Sequence, residues 1–190
     1  RRVLFRSGLT ASNNGQRFNA TNWSITSIDD AVSNDKYMQF TIIPNIGYQF
    51  NISSIFLNIQ RSSTGPSAIA LRSSVDNYAT NLDQIYSITD NTSTQSFTFT
   101  FAQSNSSTAV TYRVYMYAES TGGSGGIGDG SGDDIIVTGT TSSTGAAPTI
   151  TTSETELTGF TYNVGSGPSA SQSFTVSGSD LTANIAVTPP

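Results

Sequence analysis

Apolar residues recur at every second position along much of the chain, and no segment carries a helical stripe of useful length. Met38, Phe40 and Ile42 alternate within Tyr37 to Ile43, which predicts a strand with those side chains on one face. Gly47 turns the chain into Tyr48-Gln-Phe-Asn-Ile52, and Ile55, Leu57 and Ile59 continue the same period. Ser96 to Phe101 puts Phe97, Phe99 and Phe101 on one face and hydroxyls on the other. In Ala109 to Tyr117, Val110, Tyr112, Val114 and Met116 are expected to face those phenylalanines, with Thr111, Arg113, Tyr115 and Tyr117 opposite. A weaker strand is expected at Ile85 to Ile88, and a short one around Trp23-Ser-Ile-Thr26 in an irregular lead-in from Gly8 to about Asp35. Asn77 to Leu82 reads as turn-like or as one loose helical turn. Gly122 to Gly132 reads as a glycine-rich loop that leads into Asp134-Ile-Ile-Val137 and closes at Gly139. Many short strands with regular turns predict an all-β protein, a jelly-roll-like antiparallel β-sandwich over 8–140.

Thr141 to Pro148 is a linker by composition. Beyond it, Phe160, Tyr162 and Val164, then Phe174 and Val176, then Ile185 and Val187, alternate as three strands. A segment as short as 149–190 can scarcely bury a core, so its apolar side chains are expected to lack a partner sheet.

Composition narrows the setting. Charged residues make up 11% of the chain, and Ser and Thr roughly three in ten, as in extracellular β-proteins that are soluble through hydroxyls and amides. The net charge of −5 argues against nucleic acid, which needs a basic face. With no cysteine and no histidine, the chain has no disulfide framework, no Ser-His or Cys-His catalysis and no histidine metal site. No apolar run is long enough to span a bilayer. Arg1 to Ser7 resembles the translation of a sequencing-library adaptor, so 1–7 is expected to contribute nothing to the fold, and the chain is expected to be a metagenomic fragment of a longer protein.

Three groups of residues invite chemistry. Arg113, Tyr115 and Tyr117 share one strand face, which suits stacking and hydrogen bonding to a sugar; the competing expectation is that both faces are covered and that Arg113 pairs with a carboxylate such as Asp76. Arg61 and Arg72 each end a strand among serines and, with Asp76, are expected to form a structural polar cluster that pins loops. Asp129, Asp133 and Asp134 lie in the glycine-rich loop, where carboxylates and carbonyls suit calcium, against the alternative of a solvated turn. Asp133 and Asp134 make a poor glycosidase pair because adjacent strand residues point to opposite faces, and Glu154 and Glu156 are expected in water. No catalytic residues are assigned.

Leu157-Thr-Gly-Phe-Thr-Tyr162, Gly165-Ser-Gly-Pro-Ser169, Ser171-Gln-Ser-Phe-Thr-Val-Ser-Gly178 and Asp180-Leu-Thr-Ala-Asn-Ile185 resemble an immunoglobulin-like repeat of large secreted proteins of Bacteroidetes-type bacteria, often type IX secretion substrates. By that resemblance 149–190 is the first half of a partial Ig-like β-sandwich. Asp35-Lys-Tyr-Met-Gln-Phe40, Arg61-Ser-Ser-Thr-Gly-Pro66, Arg72-Ser-Ser-Val-Asp76, Tyr112-Arg-Val-Tyr115 and Asp134-Ile-Ile-Val-Thr-Gly139 make the first part similar to the jelly-roll-like modules that precede such repeats. The resemblance implies an extracellular or cell-surface accessory module joined to further domains of the same chain. Its expected role is adhesion, spacing or binding of a glycan or cell-surface polymer, with a hydrolase fragment using Asp and Glu pairs as the alternative.

Overall fold

The structure, a computed structural model, describes residues 5–90, 93–119 and 122–188, and divides the chain into Arg1–Ser142 and Ser143–Pro190. The first unit contains β1 (Phe5–Ser7), β2 (Thr10–Ala11), β3 (Arg17–Thr21), helix α1 (Ile28–Ser33), β4 (Tyr37–Ile42), β5 (Tyr48–Arg61), β6 (Ala68–Ser73), β7 (Tyr86–Ser87), β8 (Gln95–Ser106), β9 (Val110–Tyr117), β10 (Gly125–Gly128) and β11 (Ile135–Ser143). Eight of these strands pair from the outside in: β3 with β10, β4 with β9, β5 with β8 and β6 with β7, all antiparallel. That nested order is one long hairpin. It rolls up when β10 adds to β5 and β6 adds to β9, giving two sheets in the order β1-β4-β9-β6-β7 and β11-β5-β10-β3-β2, with β8 also on β5. The result is a jelly-roll β-sandwich.

The core lies between the sheets, where the period-two pattern places it. Met38, Phe40, Leu71, Tyr112, Val114 and Met116 from one sheet meet Ile55, Leu57, Ile59 and Phe99 from the other. Phe97 and Phe101 pack against the same cluster, and Phe101 and Phe40 bracket the Tyr112 ring at 6.1 and 5.5 Å between centroids. Each fully buried side chain of this size stabilises the fold by about 1.5–3 kcal/mol before chain entropy is counted.

Several expectations are corrected. No strand forms around Trp23 to Thr26; Ser24 makes a single bridge to Tyr117 and the chain then enters α1. Ser27 caps that helix by accepting from the Asp30 N–H at 3.2 Å, and Asp29 and Asp30 in its first turn complement the helix dipole. At six residues it is too short to show a stripe. Residues 1–4 lie outside the described residues, but Phe5–Ser7 pair with Tyr37–Gln39, so the expected exclusion of all of 1–7 is corrected. The edge of β4 offers unpaired N–H and C=O groups that an extended segment satisfies whatever its side chains. The strand expected at 134–137 runs on to Ser143, into the stretch read as a linker. The glycine-rich loop contains β10, a buried strand between β3 and β5.

The second unit has two small antiparallel ladders, β12 (Thr149–Thr152) with β15 (Val176–Ser179) and β13 (Tyr162–Asn163) with β14 (Gly167–Pro168). Thr149 with Ser179, and Thr151 with Ser177, share hydroxyl hydrogen bonds of 2.8 Å across the first ladder. Phe160, Tyr162, Val164 and Phe174 are exposed, as expected for strands without a partner sheet. No strand forms at Ile185 to Val187.

One loop carries a pH dependence. Asp83 accepts from the Thr100 N–H at 2.8 Å, the Gln84 N–H at 2.7 Å and the Tyr86 hydroxyl at 3.0 Å. The Thr100 bond is the largest influence and, against partial burial, holds the carboxyl below its ordinary value of 3.8. A depressed carboxyl stabilises the fold fully above that ordinary value and loses its contribution as pH falls through the lower folded value. Acid titration of the melting temperature is therefore expected to fall less steeply below about pH 4 in Asp83→Asn than in the wild type. Parallel curves would refute the assignment.

Candidate functional site

The face of β9 proposed for stacking is covered. Tyr115 and Tyr117 are buried with Tyr37 and Ala70 beneath Ala31 of α1, so neither ring can meet a polymer. Arg113 is sandwiched between the rings of Tyr37 and Tyr78, at 3.8 and 3.7 Å from their centroids. Its carboxylate neighbour is Asp35 at 3.9 Å, not Asp76, and its Nε donates to Gln39 at 3.4 Å. Alternation along a strand tells which side chains share a face; it does not tell what packs on that face.

Arg61, Arg72 and Asp76 hold loops, though in two places. Arg61 donates to the carbonyls of Ser62, Ser63 and Ile88, which fixes the turn after β5 against the approach to β8. Arg72 donates to Tyr78 O at 3.0 Å and Asn81 Oδ1 at 2.8 Å. Asp76 closes the same loop by accepting from the N–H groups of Ala79 and Thr80 and from the Thr80 hydroxyl. Burial pushes the Asp76 carboxyl up, and these three bonds outweigh it, so its pKa is lowered.

The open chemistry lies on the other sheet. Because Ile55, Leu57 and Ile59 of β5 point inward, Phe56 and Asn58 must point outward, opposite Thr98 and Ser96 of β8. Here β10 and β11 both border β5, and the chain between them, Asp129 to Asp134, stands beside this outer face. Together they bound a cleft of about 460 Å³ lined by Phe56, Asn58, Thr94, Ser96, Asp129, Ser131, Asp133 and Ile136.

The walls are fixed by hydrogen bonds. Asn58 is buried, accepts from the Ser96 hydroxyl at 2.8 Å and donates to Asp134 Oδ1 at 3.3 Å. That oxygen also accepts from the Gly130 N–H at 3.0 Å, and the Asn58 N–H donates to the Asp134 carbonyl at 2.9 Å. Asp129 Oδ2 lies 2.8 Å from Arg17 Nε, and the Asp129 carbonyl accepts from the Thr94 hydroxyl at 3.0 Å. Asp129, Asp133 and Asp134 thus share a loop, but among the described residues no group of three carboxylates comes together to hold a metal ion. Glu154 and Glu156 are exposed in the second unit.

Three positions escaped the sequence reading. Phe56 and Asn58 were accessible from the same alternation that located the core. Glu119, buried beside Trp23, follows β9 in a polar stretch with no pattern to mark it.

No family model matches the chain, and no curated protein matches it. A solved chain described as "CBM4 structure and function" aligns with a TM-score of 0.39 and 17% identity, over 73% of this chain and 86% of that one. The functional reading rests on this chain's own residues. No helix among the described residues is long and apolar enough to cross a membrane.

Proposed function

We propose that the chain is a non-catalytic, glycan-binding module of an exported protein and that it holds its ligand in the cleft over β5 and β8. The observation that carries this reading is the cleft's construction. A half-buried ring, Phe56, and the Ile136 side chain give it apolar surface, and Asn58, Thr94, Ser96, Ser131 and two carboxylates surround them with hydrogen-bonding groups. A pyranose presents the matching chemistry, an apolar ring face edged by hydroxyls. The supporting strands are paired on both sides of β5, so the groups are positioned before the ligand arrives.

The hydrolase reading has less support. A general acid–base pair needs two carboxyls available to substrate, whereas Asp129 lies against Arg17 and Asp134 is tied to the Gly130 N–H and the Asn58 amide. The hydroxyl-rich composition and the resemblance of both parts to secreted modules support export.

A glycan array probed with the full chain tests the proposal, with Phe56→Ala alongside. At least one glycan is expected to bind, and the variant is expected to lose about tenfold in affinity, or about 1.4 kcal/mol. Melting temperatures must show that the variant folds. Absence of binding across the array, or a folded variant that binds unchanged, overturns the site.

A further inference from the structure

The cleft over β5 and β8 is charged. Asp129 and Asp133 line it and Asp134 stands in its wall, while among the described lining residues there is no lysine or arginine. Among the described residues the one guanidinium in contact with this group, Arg17, is spent on Asp129 Oδ2 at 2.8 Å and is itself largely buried. Asp134 is likewise committed to the Gly130 N–H and the Asn58 amide. Asp133 differs: it is exposed, and among the described residues no protein donor reaches its carboxylate. Three carboxylates against one guanidinium leave the site negative, in a chain whose net charge is already −5.

We infer that this cleft selects glycans carrying a protonated amino group and discriminates against uronic acids, with Asp133 as the specificity-determining residue. This rests on the glycan reading of the same cleft. An ammonium on the sugar ring would replace water at the Asp133 carboxylate, and an exposed ion pair of this kind is worth roughly two- to fivefold in affinity. A uronate in the same place would set a fourth carboxylate against three, with no cation free to neutralise it. Phe56 and Ile136 receive the ring face in either case, so the discrimination is electrostatic and must weaken with salt.

Calorimetric titration of the full chain with three hexamers tests this: a glucosamine oligomer, its fully N-acetylated form and a galacturonate oligomer. At low salt the free amine is expected to bind about two- to fivefold more tightly than the acetylated form, with no detectable galacturonate binding. Raising salt to about 0.5 M should erase most of that advantage. Asp133→Asn should abolish it, while Asp180→Asn, which removes the same charge from an exposed position in the second unit, should leave it intact. Equal binding of the amine and the acetylated oligomer, or binding of galacturonate at comparable strength, overturns the charge selection but leaves the glycan reading standing. An amine preference lost equally in both variants shows non-specific attraction and also overturns it. If none of the three oligomers binds and the array is blank as well, the glycan reading itself falls.

Discussion

Gly126→Ala is expected to destabilise the first unit by about 3 kcal/mol, and Gly126→Val to prevent folding. Gly126 lies in β10, between β3 and β5, and is buried. A Cβ there would stand 2.5 Å from the Phe18 carbonyl oxygen and 2.7 Å from the Asn19 Cα, both backbone atoms of the neighbouring strand. Backbone in a paired strand cannot step aside as a flexible side chain can. Either β10 leaves the sheet or β3 does. Its neighbours are as confined: a Cβ at Gly125 meets Pro66 Cγ at 2.8 Å, and one at Gly128 meets the Gln16 carbonyl at 2.6 Å. A domain of this size loses about 2–4 °C of melting temperature per kcal/mol, so the alanine variant should melt roughly 6–12 °C lower. Gly15→Ala is the control, because nothing lies within 4 Å of a Cβ there, and it should shift the midpoint by a degree or two at most. A Gly126→Ala protein that melts with the wild type would show that β10 is not a tightly enclosed strand.

That strand marks one limit of the sequence. Strands that carry alternating apolar residues were legible, including the inward faces of β4, β5, β8 and β9, because a half-buried sheet imposes a period of two. The cleft's floor went unread although the same period implies it: once Ile55, Leu57 and Ile59 point in, Phe56 has to point out. β10 has the composition of a loop. What makes it a strand is that only glycine allows the main chain to pass this close to β3, and that requirement belongs to the neighbouring strand, not to the local sequence. Helix α1 was hidden for another reason. Six residues give too few turns for a stripe, and yet it decides that Tyr115 and Tyr117 are core and not ligand platform.

Glu119 is the remaining case, and its replacement by alanine is expected to cost about 3 kcal/mol. The residue is 5% exposed, and its Oε2 accepts from the Trp23 N–H at 2.7 Å. Its own N–H donates to the Ser24 carbonyl at 3.1 Å, so the end of β9 is tied at two points to the segment between β3 and α1. That segment carries Trp23, 1% exposed, whose indole N–H donates to the Ala20 carbonyl at 3.0 Å. Ser24 continues the network through its hydroxyl to Asp30 and the Ser27 carbonyl, which anchors the start of α1. Removing the carboxylate leaves a buried backbone N–H without a partner, and an unsatisfied donor costs about 1–3 kcal/mol on its own. The side-chain void adds to that. Glu119→Gln keeps an acceptor in place but exchanges a charged hydrogen bond for a neutral one, so about half the loss is expected. Thermal melts of the two variants check the ordering: wild type highest, glutamine between, alanine lowest by roughly 6–12 °C. Because α1 covers Tyr115 and Tyr117, hydrogen exchange at Ala31 and Tyr117 should rise in the alanine variant before the inter-sheet core at Phe99 and Val114 opens. Unchanged melts in both variants would mean that the Trp23 N–H finds another acceptor and that Glu119 does not hold this layer in place.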